Sequence, residues 1–162
     1  MHVLAETGGQ ISEVLALNAG DFPPGAFQGD GVWRVAVRGK GNHRYNLRFL
    51  RALPHIQTYL GARGELAAGE PLFAHHSARY AGTRMSRQSA WAVVDGARRA
   101  LGLGRIHPHD FRHWRATALV NAGQSLDVVQ DYLGHRSVET TRAYYAHTRE
   151  ERIDQAALKV RT

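Results

Sequence analysis

Two hydrophobic periods run along this chain, one of about 3.6 residues and one of two, and their changes mark its elements. After Thr7-Gly8-Gly9, the apolar residues Ile11, Val14, Leu15 and Leu17 fall at helical spacing. That spacing predicts a helix over about 10–18. Asp21-Phe22-Pro23-Pro24-Gly25 must be a loop, because two prolines cannot sit inside a helix. The period then drops to two. Val32, Arg34, Ala36 and Arg38 alternate with Trp33, Val35 and Val37. Arg44, Asn46 and Arg48 alternate with Tyr45, Leu47 and Phe49. With Gly39-Lys40-Gly41-Asn42 as the turn, these runs predict a β-hairpin with one apolar and one arginine-studded face.

Helical spacing returns over 53–62. Residues 61–71 form a connection, and Pro71-Leu72-Phe73 is expected as a short edge strand. Ser86 is placed to cap a helix running to Leu101, with Trp91, Val94 and Ala97 on one side and Gly102 and Gly104 ending it. Four more helices are expected, over 110–121, 125–133, 137–144 and 148–160. In the first of them Phe111, Ala118 and Leu119 are expected to turn toward the core. The result is a mostly helical α+β domain with one small antiparallel sheet inserted early. Its 162 residues suffice for one domain with a sizeable core.

Composition changes this picture mainly through charge. Twenty-one Lys and Arg face fourteen Asp and Glu, a net charge of +7. Only Lys40 and Lys159 are lysines; the other nineteen are arginines, whose planar forks match phosphate bidentately. A domain this basic points to a polyanionic partner, nucleic acid before an anionic membrane. An arginine-rich solvated surface is the plainer reading. The absence of cysteine excludes disulfide scaffolds, thiolate nucleophiles and Cys-ligated zinc. No apolar run is long enough for a spanning helix, and the first residues show no signal peptide.

The densest polar segment is Ile106-His107-Pro108-His109-Asp110-Phe111-Arg112-His113. On a helix starting near His109, the residues His109, Arg112 and His113 share one face. His107, His109 and His113 suggest a zinc site, but Arg112 would repel the ion and no acidic cluster completes the shell. A phosphate site fits the same residues better. Leu133-Gly134-His135-Arg136-Ser137 lies between two short helices, with Thr140-Thr141 and Tyr144-Tyr145 following. Taken alone, residues 125–145 read as a DNA-binding helix-turn-helix, and the paired tyrosines read as packing.

In order and spacing, His109-Asp110-Phe111-Arg112-His113, Leu133-Gly134-His135 and Thr140-Thr141-Arg142-Ala143-Tyr144 resemble the signature of the tyrosine recombinase (phage integrase) family. The stretch from Glu6 to Leu17 resembles the segment carrying the family's first arginine, and Gly39-Lys40-Gly41 resembles its catalytic lysine turn. The resemblance covers nearly the whole chain.

It implies that a tyrosine attacks a DNA phosphate, forms a 3′-phosphotyrosyl bond and releases a 5′-hydroxyl, with no metal or nucleotide cofactor. Covalent catalysis conserves the phosphodiester energy, so the strand can be rejoined to a new partner. On this pattern Tyr144 is the nucleophile, with Tyr145 one residue past the family spacing. Arg112 neutralises the non-bridging oxygens, and His135 donates to one of them. His109 acts as base or hydrogen-bond partner, and Lys40 protonates the leaving oxygen. Glu13 orients its neighbours. Arg38, Arg44, Arg136 and Arg142 are expected to contact DNA.

The pattern breaks at Gln10, which stands where the family has its first arginine. The chain is therefore an inactive variant, a slow natural member, or one in which Arg38 or Arg44 substitutes. The resemblance further implies double-stranded DNA as partner, no membrane association, a cytoplasmic location in a bacterium or phage-infected host, and a homotetramer on DNA. A single catalytic domain without an upstream DNA-clamping domain is expected over 1–162. Ile153, Ala156, Ala157 and Val160 give the tail at 148–162 an apolar face suited to docking on a neighbouring subunit. The rival readings are a DNA-binding module of the same fold without catalysis, a metal-dependent hydrolase built on the three histidines, and a type IB topoisomerase.

Overall fold

Six α-helices, three short 3-10 helices and one two-stranded sheet make up the structure, a computed structural model that describes residues 1–107 and 109–135, with backbone alone at Lys40. One 3-10 helix, Pro24–Phe27, falls partly in the expected loop, with Pro24 at its first position, where no N–H is needed. The helices expected over 137–144 and 148–160 lie outside the described residues, as do Arg136, Arg142, Tyr144 and Tyr145.

The chain opens with α1 (His2–Thr7), a helix that the apolar pattern did not suggest. Val3, Leu4 and Thr7 are its buried side. The Thr7 hydroxyl donates to the Val3 carbonyl, and Gly8 ends the helix at φ 62°. A side chain at Gly8 would collide with Leu133, so this turn requires glycine twice over. Helix α2 (Ile11–Leu15) is shorter than the expected 10–18. The reason lies in its C-terminal carbonyls. Arg84 donates to Leu15 and Leu17, and the Leu72 N–H also donates to Leu17. The chain leaves helical geometry there and pairs with the incoming strand at residues 70–72. That strand is itself reduced to an isolated bridge, Asn18 to Pro71, because proline has no N–H to extend a ladder.

The hairpin forms as its alternation predicts. Strands β1 (Trp33–Arg38) and β2 (Arg44–Phe49) pair antiparallel, with Val37 opposite Tyr45 and Trp33 opposite Phe49. Val35, Val37, Tyr45, Leu47 and Phe49 all face inward and are buried. A tight turn over residues 39–43 closes it, with the Gly39 N–H donating to the His43 carbonyl. Helix α3 (Leu53–Arg63) follows at once. Its start is capped from a distance: the Glu6 carboxylate accepts from the N–H groups of Leu50, Arg51 and Ala52 at 3.2, 2.7 and 2.8 Å. Helix α4 (Arg87–Ala100) begins at Ser86, whose hydroxyl accepts from the Ser89 N–H, and buries Val94.

Helix α5 (Asp110–Asn121) buries Arg112, Ala116 and Val120, an i, i+4, i+8 stripe. The expected core face, Phe111, Ala118 and Leu119, is only partly buried. A cation heads the stripe that the apolar pattern assigned to hydrophobic side chains. Helix α6 (Leu126–Leu133) ends at Gly134, φ 65°. Two apolar clusters result. The larger gathers α1–α4 and the hairpin around Phe49, Leu47, Leu17 and Leu72. The smaller joins α5 and α6 through Ala116, Val120, Val129 and Leu133. The α+β reading, mostly helical with one small antiparallel sheet, is borne out. Among the described residues no helix is long and apolar enough to cross a membrane.

Gly134 is where α6 meets the hairpin: a Cβ added there would lie 2.5 Å from the Tyr45 ring. Gly134→Ala is expected to cost about 2–4 kcal/mol, combining left-handed strain with overpacking. Urea unfolding of the two proteins measures it.

Candidate active site

Arg112 is a charged side chain with only 6% of its surface exposed, so its donors must be matched inside the protein. Nε donates to His135 Nε2 at 3.0 Å and Nη1 to the Gly8 carbonyl at 2.9 Å. Nη2 donates to the Leu133 carbonyl. Both carbonyls belong to helix ends, where the last C=O groups lack partners within the helix. Helices α1 and α6 thus present their negative ends to one guanidinium on α5.

His135 follows Gly134 and is itself buried. Its backbone is tied to Gln130 in both directions: the His135 N–H donates to the Gln130 carbonyl, and Gln130 Nε2 donates to the His135 carbonyl. Burial, then the Arg112 cation and His113, pull its pKa from 6.5 down to about 4. The ring is neutral at pH 7, and with Nε2 accepting from Arg112 its proton sits on Nδ1.

Glu13 is 5% exposed. Its Oε2 accepts from the Gln10 N–H at 2.7 Å and from the Tyr45 hydroxyl at 2.6 Å. Burial and the adjacent Glu13 charge push the Tyr45 hydroxyl far above the ordinary tyrosine range, against an opposing pull from Arg112. Tyr45 therefore stays a neutral donor. It joins α2 to the hairpin beside Gly39 and rests on Gly134. Sequence reasoning counted Tyr45 as a core position only. An inward-facing tyrosine needs a partner for its hydroxyl, and that was the available signal.

The other expected site residues divide clearly. His109 is exposed at the N-cap of α5, and His107 and His113 are exposed as well. His109, Arg112 and His113 do not form one exposed face, because Arg112 turns inward. Among the described residues no three His, Asp or Glu side chains converge as a metal-binding group. Lys40 lies in the hairpin turn, and Gln10 caps α2 as a partly buried residue.

A groove of about 480 Å³ opens beside His135, between α6 and β2, with Arg44, Asn46 and Arg48 along its hairpin wall. These residues belong to the outward face of the sheet. There the register sets Arg34 directly across from Arg48 and Arg38 across from Arg44. Like charges opposite one another in a sheet destabilise it. None of the four enters an ion pair among the described residues, where the two ion pairs join Asp95 to Arg98 and Arg99 on α4, although Asp131 lines the same groove as Arg44 and Arg48. Four guanidiniums on one face, running to the mouth of the His135 groove, make a surface for a polyanion.

The family model described as the phage integrase family matches residues 1–152. The chain belongs to the phage integrase family. It is 36% identical over 97% of its length to a tyrosine recombinase XerC of Herpetosiphon aurantiacus, covering 50% of that protein. It is 37% identical over 89% of its length to a tyrosine recombinase XerD of Mycobacterium tuberculosis, covering 45% of it. The chain thus spans about half the length of the curated relatives it matches. Among solved structures, it matches the XerH site-specific recombinase bound to a palindromic difH substrate, a post-cleavage complex. That match has TM-score 0.73 and 25% identity over 96% of this chain and 43% of the other. The XerA recombinase matches with TM-score 0.71 and 25% identity, over 88% of this chain and 50% of the other.

For this integrase-family chain the buried network has two measurable consequences. His135 is harder to protonate folded than unfolded, so its contribution to stability is complete above pH 6.5 and is lost as the pH falls toward 4. The loss is at most about 3 kcal/mol. Unfolding free energies across that range are expected to fall less steeply for His135→Gln. Arg112→Ala strands two helix-end carbonyls and is expected to cost about 3–5 kcal/mol by the same measurement.

Proposed function

We propose that the chain is the catalytic domain of a site-specific DNA recombinase that cleaves and rejoins strands through a 3′-phosphotyrosyl intermediate. The observation that carries this reading is the Arg112–His135 pair, preorganised where His135 lines a groove whose hairpin wall carries Arg44 and Arg48. A buried cation and a neutral imidazole donor, held rigid before any substrate arrives, suit the charge that develops on phosphate oxygens. The similarity to XerC and XerD, and to XerH in complex with its DNA substrate, supports the same reading.

In this mechanism a duplex lies on the hairpin's arginine face, with Arg38, Arg44, Arg136 and Arg142 among its phosphate contacts. The Tyr144 hydroxyl oxygen attacks phosphorus, the P–O5′ bond breaks, and the leaving oxygen takes a proton from Lys40. His109, at the exposed N-cap, receives or relays the tyrosine proton. Arg112 gives three N–H groups to Gly8, Leu133 and His135, and its remaining N–H donors would serve the non-bridging oxygens. Glu13 and Tyr45 position the α2 turn and the hairpin around them. The number of phosphodiester bonds is conserved, so no nucleotide is consumed. Assembly as a tetramer on DNA, with the tail at 148–162 docking between copies, belongs to the same reading, as does action in the cytoplasm.

Gln10 favours a second reading, a DNA-binding module of the same fold that no longer cuts, because its amide brings no charge to the phosphate. Covalent trapping separates the two. The chain is incubated with a pool of nicked suicide duplexes whose double-stranded arms are randomised, and adducts are resolved on a denaturing gel. A recombinase forms an adduct that Tyr144→Phe abolishes, and sequencing the trapped DNA gives its target. Retention of the pool without adduct, in this chain and in Gln10→Arg, identifies a silent binding module.

A further inference from the structure

Resting on that reading, we propose that Arg44 supplies to the reacting phosphate the positive charge that Gln10 does not, and so acts as a catalytic residue of this chain. The five-coordinate phosphorus of the transfer step carries its excess negative charge on two non-bridging oxygens. Arg112 provides one cation. His135 is held neutral by burial and by Arg112, so it adds a hydrogen bond but no second charge. Glu13 adds a buried carboxylate nearby, bonded to the Gln10 N–H and Tyr45 hydroxyl. The centre is short of positive charge, and the question is which guanidinium can reach it.

The geometry selects among the arginines. Arg115 has its stem against Gly8, two residues from Gln10, but its Nη2 donates to the Tyr132 hydroxyl and its head lies over the Tyr132 ring, outside the His135 groove. Arg48 borders the groove, yet its head lies over the Tyr132 ring, 5.2 Å from the centroid, and donates to the Asn46 carbonyl. Arg38 donates to Asn42 in the hairpin turn and borders the cleft beside Glu13 instead. Arg34 pairs across the sheet with Arg48, at the end of the hairpin remote from the turn. Arg44 alone among them both lines the groove with His135 and makes no side-chain hydrogen bond or ion pair among the described residues. It is also the neighbour in sequence of Tyr45, whose hydroxyl is fastened to Glu13 and whose ring is fixed against Gly134. Its backbone is therefore rigid while its head is uncommitted. Directly opposite sits Arg38, so each repels the other until an anion comes between them.

The test is single-turnover adduct formation, with protein saturating over the randomised nicked duplex pool, in four chains: unmodified, Arg44→Ala, Gln10→Arg and the double variant. Arg44→Ala is expected to slow adduct formation by about 10²–10³-fold, the effect of losing one preorganised donor to a transition-state oxyanion. Arg44→Lys, which keeps charge and loses the fork, falls between. In the Gln10→Arg background the Arg44→Ala loss is expected to shrink below about tenfold, because an arginine at position 10 then fills the same role. Binding to the pool, titrated with salt, reports the contact separately: Arg44→Ala lowers the salt slope by about one phosphate. Equal losses from Arg44→Ala in both backgrounds, or no loss in either, would overturn the proposal. So would an unmodified chain that forms no adduct while Gln10→Arg does. If Gln10→Arg forms none either, the recombinase reading falls first and takes this inference with it. Arg44 is exposed, so near-native melting of its variants is expected and excludes misfolding as the cause of a loss.

Discussion

One guanidinium holds this domain's two halves in register. Arg112 leaves the small α5–α6 cluster and reaches the turn that ends α1, the carbonyl that ends α6, and the imidazole just beyond it. A buried cation is tolerable only when its donors are matched, and here they are matched by groups that also need partners. Helix ends have spare carbonyls by construction. Two of them converge on Arg112 only if α1, α5 and α6 take one mutual arrangement. The charge therefore specifies the packing as much as the packing protects the charge.

A second tie works the same way on the other side of the site. Glu13 sits on α2, and its carboxylate accepts from the Gln10 backbone N–H and the Tyr45 hydroxyl. Tyr45 in turn packs on Gly134, one residue before the imidazole that Arg112 holds. The hairpin, α2 and the α6 turn are thus connected through side chains that never need to meet a substrate. Removing Arg112 would damage the fold as well as any chemistry, so loss of activity in such a variant says little about the phosphate. Residues like Arg44, exposed and without a hydrogen bond or ion pair among the described residues, allow the two effects to be separated.

Much of this was legible from the chain. The hairpin, α3, α4, α5 and α6 follow from periodicity and from caps such as Ser86 and Gly134, because their local signals and tertiary roles agree. The failures have identifiable causes. Helix α1 is too short for a period to register. Helix α2 stops early because Arg84 and Leu72 take the carbonyls of Leu15 and Leu17, contacts between residues far apart in the sequence. The core stripe of α5 was misplaced because Arg112 occupies an apolar position, and no hydrophobicity pattern assigns a cation to the interior. Arg112, His135 and Glu13 were legible as candidates through the resemblance to the tyrosine recombinase family. That they are bonded through Gly8, Leu133 and Tyr45 was not, since backbone carbonyls leave no mark in a sequence.

The hairpin's outward face carries a final consequence. Two arginine pairs face each other across its strands, and among the described residues none of them is in an ion pair. In the free domain this is stored repulsion, which dissolved salt relieves by screening. In a complex with a polyanion the same four charges are attractive, and salt weakens them by restoring counter-ions to the phosphates. Ionic strength therefore acts with opposite sign on the two states, firming the empty domain while loosening the loaded one. The sheet is most comfortable when it is occupied, and a polyanion laid on it would act as a missing third layer of the fold.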